Sequence, residues 1–258
     1  MKSMLLIATG LLVISLLMNA SVLAANVSLP VAYWLFDKEG DTVLDFSGNE
    51  NHGEVIGKLK WVKGQFGQAI EFPGEAGNYI SVKDSKSLNP KEQFSITCWV
   101  NPADVSTWSR LVSKDDETVG RDYLLGTGAK LIEFGTWHPD GSRSLLDTVQ
   151  GLEVNQWQHV AGTYDGADVV VYIDGKEIGR MSAAGKGMMD TDTPLVFGYY
   201  TDNVRPEAYK GVLDDVGIFD VALSLPEIKA IMNGELYRKI SAIHPSNKLA
   251  ATWGSIKS

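Results

Sequence analysis

The chain has one cysteine, Cys98, among 258 residues, so no intrachain disulfide can form and the fold must rest on its apolar core. Positive charge is also scarce, with 23 Lys and Arg against 32 Asp and Glu and a formal charge of −9. That balance argues against nucleic acid and anionic membrane surfaces as partners. Beyond Ala25 no apolar run approaches the ~20 residues of a spanning helix, so no membrane insertion is expected. Helical periodicity is nearly absent. A Gly-x-Ser-x-Gly elbow, a His-Glu-x-x-His zinc motif and a phosphate-binding loop are all missing, which argues against the common hydrolase and nucleotide-handling classes.

What is present begins at the N-terminus. Lys2 precedes an apolar run over 4–18 and then the small residues Ala20, Ser21, Ala24 and Ala25, the layout of a signal peptide. Val22 and Ala24 suit the positions before a cleavage site. The expectation is a signal peptide over 1–24 and a secreted, periplasmic or cell-surface chain. One domain is expected over 25–236. A basic extension is expected over 237–258, where Arg238, Lys239, Lys248 and Lys257 occur with no acid after Glu235.

The domain reads as short strands separated by turns. Over 94–100, Phe94, Ile96, Cys98 and Val100 alternate with Ser95, Thr97 and Trp99, which places the first four on one face of a strand and Trp99 on the other. Cys98 is then a small buried hydrophobe and not a reactive thiol. Asp174-Gly175 between the runs 169–173 and 176–180 predicts a tight hairpin. Asp165-Gly166 ends the preceding strand, giving three antiparallel strands in succession. Further runs at 31–36, 69–72, 79–82, 111–113, 123–126, 131–136, 195–198 and 211–219 complete an all-β, two-sheet antiparallel sandwich. One short C-terminal helix is expected after Ser224, with Pro226 and Glu227 in its first turn, Ile228, Ile231 and Met232 as its apolar stripe and Gly234 as its stop.

Several segments, read in order, resemble the laminin-G-like jelly-roll family of the concanavalin A-like lectin/glucanase superfamily. Ala32-Tyr33-Trp34-Leu35-Phe36-Asp37 and the loop from Asp45 through Ser47-Gly48-Asn49 to Gly53 are similar to the family's opening strand and loop. The segments at 64–72, 79–82 and 94–100, Trp157 with the run to Gly166, and the closing 211–219 follow in the family's order. The resemblance implies a jelly roll used as an adhesion or carbohydrate-binding unit, often with a structural calcium ion between the opening loop and the last long strand. Calcium takes six to eight hard oxygen ligands. Carried over by position, the resemblance points to Asp37, Asp45, Ser47, Asn49, Gly53 and one of Asp214 and Asp215. Neighbours on a strand face opposite ways, so Asp215 alone is expected at the ion. The alternative for these acids is to cap turns or to pair with Lys and Arg.

A glycan site needs an aromatic platform with polar flanks. Trp108, Trp137, His138, Tyr199, Tyr200 and Tyr209 lie in or beside polar, turn-rich segments, with Arg121-Asp122 and Asp202-Asn203 nearby in sequence. Trp108, Arg121, Trp137, Tyr199, Tyr200, Asn203 and Tyr209 are the ligand-binding candidates, though each aromatic could equally be packing. The expected function is a secreted non-catalytic module that binds a glycan. An extracellular adhesion or protein-interaction domain is the alternative. A laminarinase-type hydrolase would need paired carboxylates in a Glu-x-Asp-x-x-Glu strand. Glu133 stands alone in its run.

Overall fold

The computed structural model describes residues 27–116, 118–200 and 207–243. The expected signal peptide, Asn203, Trp253 and most of the basic tail lie outside the described residues.

The described chain is a sandwich of two antiparallel sheets, as the alternating runs predict. In one sheet the order is β14 (Lys176–Ser182), β13 (Asp168–Ile173), β12 (Gln158–Tyr164), β7 (Phe94–Pro102), β16 (Lys210–Phe219), β5 (Gln68–Pro73) and β4 (Lys60–Lys63). The first strand, β1 (Ala32–Trp34), also pairs with β16. The other sheet runs β11 (Arg143–Asp147), β10 (Leu131–Trp137), β9 (Gly120–Gly128), β8 (Ser109–Asp116), β15 (Leu195–Phe197), β6 (Tyr79–Val82), β3 (Gly53–Ile56) and β2 (Thr42–Val43). The hairpin at Asp174-Gly175 forms with both residues at positive φ, 50° and 67°. Glycine takes that conformation at little steric cost.

Between the sheets lies the main core. Phe94, Ile96, Cys98 and Val100 of β7 meet Tyr123, Leu125, Ile132 and Phe134 from the opposing sheet. Each such side chain stabilises the fold by roughly 1.5–3 kcal/mol through removal from water. Trp99 faces the other way, as expected.

Two helices, not one, cover the outer face of the first sheet: α1 (Leu225–Met232) and α2 (Glu235–Ile243). Ser224 and Glu227 form a reciprocal capping box at the start of α1. Leu236 and Ile240 of α2 join Ile228 and Ile231 of α1 in a second apolar cluster against Tyr33, Tyr172 and Phe219. Helix α2 crosses the boundary expected between 236 and 237, so residues 237–243 pack with the domain. The first sheet is therefore helix-backed, whereas no described helix covers the second, on whose outer face Tyr200 and Glu207 lie against Arg110. No described helix is long and apolar enough to cross a membrane.

Candidate functional site

Strand irregularities decide which side chains meet on the outer face of the second sheet. Arg110 and Asp115 of β8 are an odd number apart and would face opposite ways on a regular strand. A bulge between Arg110 and Val112 inserts one residue, so Arg110 pairs across from Gly126 and Asp115 across from Arg121 on the same face. Glu133 of β10 also lies opposite Gly126. Arg110, Gly126 and Glu133 thus form one row across three strands. Gly126 leaves the gap through which the guanidinium reaches: a Cβ there would stand 3.1 Å from Arg110 Nη1. Arg110 Nη1 donates to Glu133 Oε2 at 2.5 Å.

The network continues sideways. Arg110 Nη2 is 3.4 Å from Glu207 Oε2 and 4.0 Å from Asp115 Oδ2. Arg121 Nε is 3.4 Å from Asp115 Oδ1, and its Nη2 donates to the Tyr200 hydroxyl at 3.2 Å. Both guanidiniums also lie on rings, Arg110 at 5.2 Å from the Tyr200 centroid and Arg121 at 5.4 Å from that of Trp137. Beside Trp137 and Arg121 opens a depression of about 190 Å³, completed by His138, Pro139, Gly141 and Met189. The surface therefore offers fixed hydrogen-bonding groups of both kinds next to a half-buried indole.

Three of the candidates, Arg121, Trp137 and Tyr200, come together here. Tyr200 is itself buried and serves through its hydroxyl and ring face. Tyr209 is fully buried in the core against Phe72, its hydroxyl donating to Val212 O, so it is packing and not platform. The Tyr199 ring is stacked on Tyr79 at 5.3 Å. Trp108 is half-buried beside Gly128, apart from the arginine network. His138 is buried between Gly187 O and Ser144 Oγ. Arg110, Asp115, Glu133 and Glu207 complete the site without having been expected in it. Cross-strand register reveals Arg110, Asp115 and Glu133, and the contact with Arg110 reveals Glu207.

The residues expected at calcium fall in two places. Asp45 organises its own turn, with Oδ1 accepting from the Tyr33 and Ser47 amides and Oδ2 from Asn51 N and Ser47 Oγ. Asn49 donates to Val31 O, and Gly53 packs against Val43 and Ile80. Asp37 lies elsewhere, under α2, where it accepts from Gln68 N at 2.8 Å and from the Tyr237 hydroxyl at 3.1 Å. A Cβ on Gly67, whose φ is 62°, would stand 1.8 Å from Asp37 Oδ1.

Both Asp214 and Asp215 turn toward this second place, against the expectation that only one could. Asp215 sits in a bulge of β16 with φ 48°. Asp214 Oδ2 accepts from Gln65 N and Phe66 N, while Asp214 Oδ1 and Asp215 Oδ1 are buried with no hydrogen-bond partner. Burial raises the Asp214 carboxyl to about 8, with the Asp37 charge adding to the rise. Burial, followed by the charges of Asp214 and Asp37, pushes Asp215 up strongly. Among the described residues no Lys or Arg pairs with these acids, and no set of three acids, histidines or cysteines stands as a ready metal cage. Protons or a cation must offset such carboxylates.

The two-sheet fold is that of a jelly-roll domain. The chain belongs to the concanavalin A-like lectin/glucanases superfamily, in the Laminin_G_3 family, which residues 74–229 match. It is 24% identical over 239 residues to Paraclostridial mosquitocidal protein 1 of Paraclostridium bifermentans, covering 84% of this chain and 18% of that protein. The solved binding domain of that protein superposes with a TM-score of 0.65 at 20% identity, over 80% of this chain and 52% of the domain. Domain 4 of AbnA, a GH43 extracellular arabinanase from Geobacillus stearothermophilus solved with arabinotriose, gives 0.62 at 20% identity over 79% of this chain and 98% of that one. The botulinum neurotoxin serotype D ligand binding domain, solved with N-acetylneuraminic acid, gives 0.63 at 16% identity over 80% and 51%. The chain thus spans less than a fifth of the mosquitocidal protein and about half of each toxin binding domain.

Proposed function

We propose that the chain is a secreted, non-catalytic carbohydrate-binding module whose site is the outer face of the second sheet around Arg121, Trp137, Arg110 and Glu133. The observation that carries this reading is the Arg121–Trp137 pair, set at the edge of a ring-sized depression and held in place by buried charge. Sugar recognition needs such a mixture of a flat apolar surface and converging polar groups. The arabinotriose-bound AbnA domain, almost wholly covered by this chain, supports the class of ligand. The leader-like first residues support the export part of this reading. Catalysis is disfavoured because Glu133 and Glu207 are both engaged by the Arg110 guanidinium, which would have to release before either acted on a glycosidic bond.

The calcium expectation narrows to Asp37, Asp214 and Asp215, whose orphaned oxygens could turn to a hard cation and exchange burial strain for coordination. Titration of the full chain with arabino-, xylo- and gluco-oligosaccharides tests the main proposal. Arg121→Ala is expected to weaken binding tenfold or more but also to lower the melting temperature, since it strips a partner from buried Asp115. Trp137→Ala leaves those pairs in place and is the variant expected to weaken binding with the melting temperature kept. Capture of a single protein with no saccharide bound would move the module to the adhesive class.

A further inference from the structure

We infer that the sheet-face site selects uncharged glycans and rejects anionic ones, an inference that rests on the carbohydrate-binding reading above and adds its substrate class. The first ground is the sign of the face. Two guanidiniums, Arg110 and Arg121, meet three carboxylates, Asp115, Glu133 and Glu207, all within 4.0 Å of one or the other. Carboxylates therefore already match both guanidiniums before any ligand arrives. The sequence as a whole carries −9, which repels polyanions at longer range as well.

The second ground is that neither guanidinium stands waiting for an anion. Arg110 is divided among Glu133, Glu207 and Asp115, and Arg121 between Asp115 and the Tyr200 hydroxyl. The Asp115 side chain is 0% exposed and that of Arg110 only 11%. A sugar carboxylate or sulfate competing for the N–H groups already given to these partners would draw a guanidinium away from them, leaving a buried charge uncompensated. Hydroxyl groups impose no exchange. Each can donate to a carboxylate lone pair and accept from an N–H, joining the network instead of breaking it. The depression of about 190 Å³ is smaller than the roughly 300–1,000 Å³ of a small-molecule pocket, so it suits one ring of a longer chain lying over Trp137.

The test uses the full chain and matched ligand pairs: arabino-, xylo- and gluco-oligosaccharides, and the same backbones bearing a carboxylate or a sulfate, measured by calorimetry at low and physiological salt. At least one neutral member is expected to bind, and its charged counterpart at least tenfold more weakly, with the gap widening at low salt. Glu207→Gln and Glu133→Gln are expected to narrow that gap, because each removes a negative charge from the face. Charged members binding as well as neutral ones, in a mode that Arg121→Ala abolishes, would overturn the selectivity while leaving the carbohydrate reading in place. No binding by any member would overturn both.

Discussion

At the scale of single residues, the acids under α2 make a statement about pH. The Asp214 carboxyl titrates near 8 in the fold, against 3.8 as its ordinary value, so the folded state holds a proton that the unfolded chain has already released. Its contribution to stability is complete below pH 4 and disappears as pH rises through 8. Asp215 and Asp37 shift in the same direction. Glu227 has the opposite sign, because its burial is outweighed by bonds to Ser224 and Ser28 that hold it down to about 2. Its window lies below pH 4.5 and leaves the upper one clear. In chelator, the melting temperature is expected to be lower at pH 8 than at pH 5, and Asp214→Asn should flatten that slope. Calcium added at pH 8 should restore the loss; identical melting with calcium and chelator at that pH would remove the cation from this cluster. The sequence showed these acids but not their meeting, because strand alternation set Asp214 and Asp215 apart and only the bulge at Asp215 reunites them. Glu133 likewise read as a lone carboxylate. Its partner Arg110 lies two strands away, across a glycine.

Among the elements, strands were the legible part. The alternation in β7 and the Asp174-Gly175 turn follow from side-chain period and glycine freedom alone, and both stand as expected. Helix α2 was not legible, since Tyr237, Arg238 and Lys239 read as a basic tail. Its apolar residues Leu236 and Ile240 gain meaning only from the surface they cover. The Tyr237 ring is stacked on Phe66 at 5.3 Å, and its hydroxyl closes over Asp37. Ile240→Ala is expected to lower the unfolding free energy by about 2–4 kcal/mol in denaturant titration, the usual range for a truncated buried aliphatic. A loss within about 0.5 kcal/mol, the scale of an ordinary surface substitution, would mean that α2 does not dock in solution.

For the whole molecule, the ordered motifs from 32 to 219 identified the superfamily, because they record the sandwich itself. The candidate face was only half visible, as it is assembled from β8, β9, β10 and the chain near 200 and 207. Stability rests on packing across the sandwich. Cys98 lies at its centre, fully buried, with its thiol pushed well above the ordinary value by desolvation. Reductant is therefore expected to leave the melting temperature unchanged, and a thiol reagent to label Cys98 only in denaturant. Rapid labelling of the native chain would contradict this packing.

The sheet margins carry a consequence for copies held close together. β14 presents exposed Lys176, Glu177 and Arg180, β4 presents Lys60 and Lys63, and β11 presents Arg143 and Asp147, while β2 is only two residues long. Charged or very short margins discourage strand-to-strand zippering. Copies crowded together or strung in tandem would remain separate beads instead of fusing into fibrils.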